Sequence, residues 1–255
     1  MAIVIAALAT SLLECCIVPT RRYLHRLPEH NHRQRKGRRL KTKVILVRHG
    51  ETNWNKARKF QGMTDIPLNE LGKTQATYAK EALRDVHINA AYASPLQRAV
   101  ETAQIILESH ETDLIIENEL HEQNAGDWEG LTAQEIEERF PGQHDIWTYK
   151  PTEVRIQNGE RFQDVQTRAT AAFWEIARNN PGETVLIVAH MVCLSTILLG
   201  IAGISIDEIW DRPLSNAGYS VVEVDINKDK ATIIEWNHDE HIPEAQRRKP
   251  RFKVK

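Results

Sequence analysis

Two short apolar runs constrain the fold of this chain more than any other feature. They are KVILV at residues 43–47 and ETVLIVA at residues 183–189, and helix-type patterns lie between them. A strand that is apolar at every position must be covered on both faces, which is typical of a parallel sheet flanked by helices. The two runs therefore predict the buried strands of an α/β domain.

The rest of the chain alternates between further strands and helices. The additional strands are predicted at residues 88–93, 113–117, 219–225 and 231–236. Helices are predicted from Asn69 to Arg84, from Ser94 to Ser109, from Thr132 to Phe140, and over residues 161–178, 191–201 and 205–211. Strands separated by helices favour one α/β domain with a mostly parallel sheet.

Three local features of this pattern can be tested against a structure. Ser94 and Pro95 are predicted to be the N-cap and first residue of a helix. Thr132 and Glu135 have the spacing of a capping box. Residues 142–159 show no clear period and are predicted to form an irregular surface segment.

Charge divides the chain into three parts. Residues 1–43 carry ten Lys and Arg against two acids, residues 44–240 carry 17 against 32, and residues 241–255 carry six against one. The sequence therefore predicts an N-terminal extension at 1–42, a folded domain at 43–240 and a basic tail at 241–255. The acidic domain argues against nucleic-acid binding, which needs positive charge on the folded surface.

Residues 1–18 are apolar apart from Thr10, Ser11 and Glu14, and ten basic residues follow between 21 and 43. Three interpretations stay open: a disordered extension, a membrane anchor that leaves the domain cytoplasmic, and a cleaved signal peptide. The run is at the short end of a membrane span, and a signal peptide would need a positive start, which is absent.

Cysteine and metal-ligand patterns exclude two further classes. The chain has three cysteines, Cys15, Cys16 and Cys193, without the spacing of a disulfide framework. It has no C-x-x-C or H-E-x-x-H motif. The sequence therefore predicts neither a disulfide-stapled secreted fold nor a bound metal or cofactor.

Basic, imidazole and carboxylate side chains follow the predicted strands where these end. Arg48 and His49 follow the first strand, Arg98 lies one helical turn past the second, Glu122 follows the third, and His190 follows the fourth. Ligands of open α/β sheets bind outside the carboxyl ends of the strands. We therefore expect these five side chains to form one site, although each alone has an ordinary explanation.

This set of residues suits phosphoryl transfer. Two guanidinium groups can neutralise a phosphoryl group bidentately, and a neutral imidazole can attack phosphorus. A second imidazole can donate to the phosphoryl oxygens, and a carboxylic acid can protonate the leaving oxygen and then activate water. None of these steps requires a metal ion.

Several motifs, in order along the chain, carry a family resemblance. They are VILVRHGETNWN (44–55), FQGMTDIPLNELGKTQA (60–76), SPLQRAVETA (94–103), LHEQNAGDWEGL (120–131) and VAHMVCL (188–194). The chain resembles the histidine phosphatase superfamily, the phosphoglycerate-mutase-like group, and especially its broad-specificity phosphatase branch. The resemblance covers about residues 43–236 and implies a three-layer α/β/α fold with a mixed, mostly parallel sheet.

The resemblance also implies a role for each site residue. His49 would be the phosphorylated nucleophile, and Glu122 would be the general acid and then the base. The phosphate pocket would be completed by Arg48, Arg98 and His190, with a hydrogen bond from Asn55 and with Gln61 and Gly62 lining it.

The chain departs from the family pattern at two positions. Met191 follows His190 where the family usually has glycine, and its side chain could narrow the pocket. Arg161 stands where the family has serine, either near the substrate mouth or simply at the start of a helix.

Three functions remain to be separated. The first is a phosphomonoester hydrolase acting on a small phosphorylated metabolite. The second is a 2,3-bisphosphoglycerate-dependent phosphoglycerate mutase, which would need basic residues in the segment after Glu122; residues 131–159 contain only Arg139, Lys150 and Arg155. The third is a silent member that binds phosphorylated ligands. The sequence leaves the substrate and the oligomeric state open.

Overall fold

A computed structural model describes residues 41–247 and contains one six-stranded sheet. The strands are β1 (Lys41–Arg48), β2 (Ala90–Ala93), β3 (Leu114–Ile116), β4 (Thr184–Ala189), β5 (Tyr219–Asp225) and β6 (Lys230–His238). They lie in the order β3-β2-β4-β1-β5-β6. The first four strands in this order are parallel to one another, whereas β5 is antiparallel to its neighbours β1 and β6.

The parallel pairing of β1 with β4 places two histidines side by side. Arg48 is opposite Ala189 in the register, so the next residue of each strand leaves the sheet at the same edge. These residues are His49 and His190, and the N–H of His49 still donates to the carbonyl of Ala189 at 3.0 Å.

Seven α-helices accompany the sheet within the described residues. They are α1 (Asn53–Lys56), α2 (Glu70–Leu83), α3 (Gln97–Leu107), α4 (Ala133–Arg139), α5 (Gln143–Tyr149), α6 (Phe162–Asn179) and α7 (Met191–Ala202). Helices α2 and α3 cover one face of the sheet, and α6 and α7 cover the other. The predicted three-layer α/β/α fold with a mixed, mostly parallel sheet is confirmed.

Strand β1 shows why its apolar run is continuous. Val44 and Leu46 pack on the side of α6 and α7, whereas Ile45 and Val47 pack on the side of α2 and α3. Successive side chains of a strand point to opposite faces, so covering both faces requires an apolar residue at each position.

The predicted helix start at Ser94 is wrong. Helix α3 begins at Gln97, and the Ser94 hydroxyl faces the Nε2 of His190 at 2.7 Å. The Gln97 N–H instead donates to the Asp65 carboxylate at 2.7 Å. A side chain from a distant loop thus replaces the local cap that the sequence suggested. The capping box of Thr132 and Glu135, in contrast, is present at the start of α4.

The prediction of an irregular segment at residues 142–159 is also wrong in part. Helix α5 occupies its first half and buries Trp147 against Trp210, with ring centroids 3.9 Å apart. The two indoles belong to a third apolar cluster, beside the carboxyl edge of the sheet.

The folded domain continues past the predicted boundary at residue 240. Ile242 is fully buried between the sheet and α2, and the backbone carbonyl of Gln246 accepts a hydrogen bond from Gln75 at 2.8 Å. Residues 241–247 are therefore part of the domain and not of a free tail.

The interpretations of residues 1–18 concern a part of the chain outside the described residues. Within residues 41–247, no helix combines the length and apolar character needed to cross a membrane.

Candidate active site

A cleft of about 390 Å³ opens at the carboxyl edge of the parallel strands. Seven of the eight predicted site residues line it: Arg48, His49, Asn55, Gln61, Gly62, Arg98 and Glu122. The eighth, His190, lies directly behind them, with its ring centroid 5.2 Å from that of His49. The structure therefore brings together all the residues that the sequence predicted for the site.

The imidazole of His49 is held in one tautomer. It is 2% exposed, and its Nδ1–H donates to the carbonyl of Gly50 at 2.7 Å, which leaves the lone pair on Nε2. Burial, reinforced by the positive charges of Arg98 and Arg48, holds the pKa of His49 well below its ordinary value. At neutral pH this ring is uncharged, as a nucleophile must be.

The guanidinium of Arg98 is fully buried and fixed from three directions. Its Nε donates to His190 Nδ1 at 3.2 Å, and its two terminal nitrogens donate to the carbonyls of Thr64 at 3.0 Å and Gly62 at 2.8 Å. These bonds use three of its five N–H groups, and two remain for a phosphoryl group. Burial lowers the pKa of Arg98 to about 10, partly offset by Glu122, so it stays charged at neutral pH.

The second histidine, His190, is held between Arg98 and Ser94. Because Arg98 can only donate, His190 Nδ1 is an acceptor and its proton is on Nε2, which faces the Ser94 hydroxyl at 2.7 Å. Burial, then the charge of Arg98, holds the pKa of His190 well below its ordinary value. In this arrangement His190 orients Arg98 through Nδ1, and its Nε2–H is directed at Ser94.

Three further predicted site residues form hydrogen bonds with neighbouring groups. An Arg48 terminal nitrogen donates to the carbonyl of Leu214 at 2.5 Å. The Asn55 side-chain oxygen accepts from the N–H of Thr52 at 3.2 Å in the capping box of α1, so its NH₂ group is the donor available to a ligand. Gln61 accepts from the Thr52 hydroxyl at 2.8 Å.

The Glu122 carboxylate faces the N-terminus of α7. Its Oε1 accepts from the N–H of Gln123 at 2.9 Å and of Cys193 at 3.2 Å, and its Oε2 accepts from the N–H of Val192 at 3.3 Å. Helix N-termini stabilise carboxylates through exactly such unpaired N–H groups. Oε2 has the fewer of these bonds.

Comparison with known proteins agrees with this geometry. The profile of the histidine phosphatase superfamily (branch 1) matches residues 44–239. The chain belongs to the histidine phosphatase superfamily.

Individual members of the superfamily show how broad the likeness is. Phosphoserine phosphatase 1 of Hydrogenobacter thermophilus is 31% identical over 202 residues, which cover 79% of this chain and 95% of the relative. A 2,3-bisphosphoglycerate-dependent phosphoglycerate mutase of Cytophaga hutchinsonii is 36% identical over 171 residues, covering 65% and 80%. The solved structure of Bacillus stearothermophilus YhfR superposes with a TM-score of 0.76 at 36% identity, covering 79% of this chain and all of that one.

Each departure from the superfamily pattern has a clear structural outcome. Met191 begins α7, lines the cleft and packs against the third apolar cluster. Arg161 is the N-cap residue of α6, is exposed, and is not among the residues that line the cleft.

The outer cleft wall has two sides. Phe60, Trp147, Trp210 and Leu214 form an apolar side, and a C-terminal group that includes Asp239 and Arg247 forms a charged side. The sequence predicts that segments 142–161 and 203–216 contribute to the pocket walls, and these segments contain Trp147, Trp210 and Leu214. No sequence signal marked the second side, because it depends on how the chain returns after β6.

Among residues 41–247, no three or more His, Cys, Asp or Glu side chains are arranged for metal binding. The positive charge beside His49 comes from Arg98 and Arg48.

Proposed function

We propose that this protein is a phosphomonoester hydrolase that works through a phosphohistidine at His49 without a metal ion. Membership in the superfamily and the names of its phosphatase relatives support phosphatase activity. The observation that carries the mechanism is the buried, neutral His49 whose Nδ1 is bonded to Gly50 and whose Nε2 is directed to a cleft with two arginines.

The first half-reaction transfers the phosphoryl group to the enzyme. His49 Nε2 attacks phosphorus, the N–P bond forms and the bond from phosphorus to the ester oxygen breaks. Arg48 and Arg98 balance the charge on the phosphoryl oxygens, and the Asn55 NH₂ group donates to one of them. Protonated Glu122 gives its proton to the leaving alcohol.

The second half-reaction regenerates the enzyme. A water molecule takes the place of the alcohol, and Glu122, now a carboxylate, accepts its proton as the oxygen attacks phosphorus. The N–P bond breaks, inorganic phosphate leaves, and both His49 and Glu122 return to their starting protonation states.

Phosphoglycerate mutase activity is the alternative function, because one relative with that name is 36% identical to this chain. A mutase must exclude water from its phosphoenzyme and hold the substrate carboxylate. From residues 131–159 only Trp147 lines the cleft, so the three basic residues of this segment do not reach it. This favours hydrolysis over mutase activity.

One assay separates the candidate functions. Phosphate release from p-nitrophenyl phosphate and 3-phosphoglycerate is measured in EDTA, and conversion of 3-phosphoglycerate to the 2-isomer is measured with bisphosphoglycerate added. We expect metal-independent release. Isomer conversion without release would indicate a mutase, and silence in both assays would indicate a phosphate-binding protein.

Substitution of the nucleophile tests the mechanism. We expect His49→Ala to abolish turnover because, among the described residues that line the cleft, His49 is the one that carries an imidazole. Circular dichroism and urea unfolding should show that the variant is folded. Residual turnover near the wild-type rate would contradict a phosphohistidine at this position, as would the absence of acid-labile phosphate on the wild-type enzyme during turnover.

A further inference from the structure

Behind the cleft, a guanidinium holds the loop that carries the predicted general acid. Arg168 lies on α6, does not line the cleft, and has a side chain that is 12% exposed. One terminal nitrogen donates to the carbonyls of Glu119 at 2.6 Å and His121 at 2.9 Å. The other donates to the carbonyl of Glu122 at 3.1 Å.

The same guanidinium is held in place by a carboxylate. Arg168 Nε and a terminal nitrogen donate to the two oxygens of Glu160 at 2.7 and 2.9 Å, which is the bidentate arrangement that fixes the plane of the group. The Glu160 side chain is only 17% exposed. Together the carbonyl and carboxylate contacts engage all five N–H groups of the arginine.

The backbone of Glu160 is also hydrogen-bonded to residues 123 and 124, which follow Glu122. Its N–H donates to the carbonyl of Asn124 at 2.9 Å, and its carbonyl accepts from the Gln123 side chain at 2.9 Å. The residues on both sides of Glu122 are therefore fixed to the Arg168–Glu160 pair.

This arrangement differs from an ordinary surface ion pair. Besides the Glu160 carboxylate, the guanidinium contacts three backbone carbonyls within residues 119–122. Here those carbonyls belong to the segment that directs the Glu122 carboxyl at the N-terminus of α7 and at the cleft. A displacement of about 1 Å in such a group can reduce a reaction rate about 100-fold.

We propose that Arg168, fixed by Glu160, is a positioning residue that holds Glu122 where it can protonate the leaving group. The proposal rests on the proposed phosphatase function. It predicts that loss of the guanidinium lowers kcat/KM most for esters whose leaving group needs a proton.

The test is Arg168→Lys, assayed with p-nitrophenyl phosphate and with an alkyl phosphate such as 2-phosphoglycerol. Lysine keeps the charge but cannot form the bidentate fork or contact three carbonyls at once. We expect kcat/KM to fall about 10-fold or more for the alkyl ester and less than about 3-fold for the aryl ester. The value of kcat/KM is used because it reports the first phosphoryl transfer and not the hydrolysis step that both esters share.

The test includes a matched control variant and a second variant of the Arg168–Glu160 pair. Arg178→Lys changes an arginine on the same helix whose side chain is 53% exposed and paired with Asp229, and it should leave both substrates unaffected. Glu160→Gln removes the carboxylate charge but keeps the size of the side chain. It should shift the alkyl-to-aryl ratio in the same direction as Arg168→Lys, so it replaces that variant if lysine prevents folding.

A double variant separates positioning from a merely structural role. In a Glu122→Gln background the acid is absent, so adding Arg168→Lys should leave the alkyl-to-aryl ratio unchanged. Equal losses on both esters, or a further fall of the ratio in that background, would overturn the positioning role while leaving the phosphatase function in place. A wild-type enzyme that hydrolyses neither ester would instead overturn both proposals.

Discussion

At the residue scale, the most unusual feature is a pair of adjacent histidines that are both buried and neutral. His49 is 2% exposed, His190 is fully buried, and burial holds the pKa of each well below its ordinary value. A histidine in the unfolded chain titrates near pH 6.5. Below that pH the unfolded state binds protons that the native state does not, so acidification favours unfolding.

This linkage predicts a stability change with a definite sign. The free energy of unfolding should fall as the pH is lowered from 7 to 5, by at most about 1.4 kcal/mol per pH unit for each of the two histidines. Urea unfolding at several pH values measures the slope. His49→Asn removes one of the titrating groups and should make the slope shallower. Equal slopes for the variant and the wild type would show that folding does not lower the pKa of His49.

Glu122 provides a second prediction at this scale. Glu122→Gln cannot donate a proton to the leaving oxygen, and general acid catalysis contributes about 10²-fold or more to such steps. We expect kcat/KM to fall by about that factor for an alkyl phosphate and only a few-fold for p-nitrophenyl phosphate, whose leaving group is stable as an anion. Parallel steady-state assays measure both values. Equal losses would remove Glu122 from the general-acid role.

The sequence predicted which residues meet at the site, but not how each one is bonded. Strand-end positions predict the grouping, because parallel strands direct Arg48, His49 and His190 to one edge of the sheet. The bond from Arg98 Nε to His190 Nδ1, which fixes the tautomer, depends on the packing of α3 against β4. No spacing in the sequence encodes that contact.

At the element scale, the loop after α1 holds the Arg98 guanidinium through its backbone. Gly62 has a φ of +53°, and a Cβ at this position would lie 2.0 Å from a carboxylate oxygen of Glu129 and 2.8 Å from the backbone nitrogen of Ala125. The Glu129 oxygen cannot easily move, since it accepts from the N–H of Met63 at 2.7 Å. The Gly62 carbonyl, in turn, holds Arg98.

Gly62→Ala should therefore damage both stability and catalysis. We expect a loss of about 1–3 kcal/mol in the free energy of unfolding and a fall in kcat/KM of about 10-fold, because the loop must shift and carry Arg98 with it. Gly203→Ala is the matched control: its φ is +68°, but nothing lies within 4 Å of the added Cβ. If the two variants behaved alike, positive φ alone, and not the contact with Glu129, would account for the effect.

Helix boundaries show where local sequence signals are overridden. The Ser94-Pro95 pair is a strong local start signal, yet the Ser94 hydroxyl faces His190 and a loop carboxylate, Asp65, caps α3. Helix α5 has only seven residues and weak signals of its own, and it is stabilised by packing Trp147 on Trp210. Both differences arise from tertiary contacts, which a pattern along the chain does not contain.

At the scale of the whole molecule, the cleft combines distant parts of the chain. Its wall includes Arg58 near the start of the domain and Glu244 and Arg247 at its end. The alternating pattern predicted the strands and a mostly parallel sheet, but it predicted neither the strand order nor the burial of Ile242 against the sheet. For this reason the basic character of the C-terminus suggested a free tail.

The charge of the domain predicts how kcat/KM depends on salt. Residues 44–240 carry 17 Lys and Arg against 32 Asp and Glu, a formal net charge of −15 that repels an anionic substrate at long range. Within the described residues, the cleft supplies local attraction through five basic side chains, partly offset by three acids; these are Arg48, Arg58, Lys59, Arg98 and Arg247, and Glu122, Asp239 and Glu244. Added salt screens the distant repulsion together with the local attraction, so the two effects oppose each other.

We therefore expect kcat/KM for p-nitrophenyl phosphate to change less than about 3-fold between about 20 mM and about 200 mM KCl. An enzyme with a basic funnel loses activity steeply over this range, since screening removes only attraction. Measuring kcat in the same buffers separates an effect on encounter from an effect of chloride on the chemical step. A fall of kcat/KM by more than about 10-fold at constant kcat would mean that the cleft charges dominate the field, and that the −15 of the domain does not reach the approaching substrate.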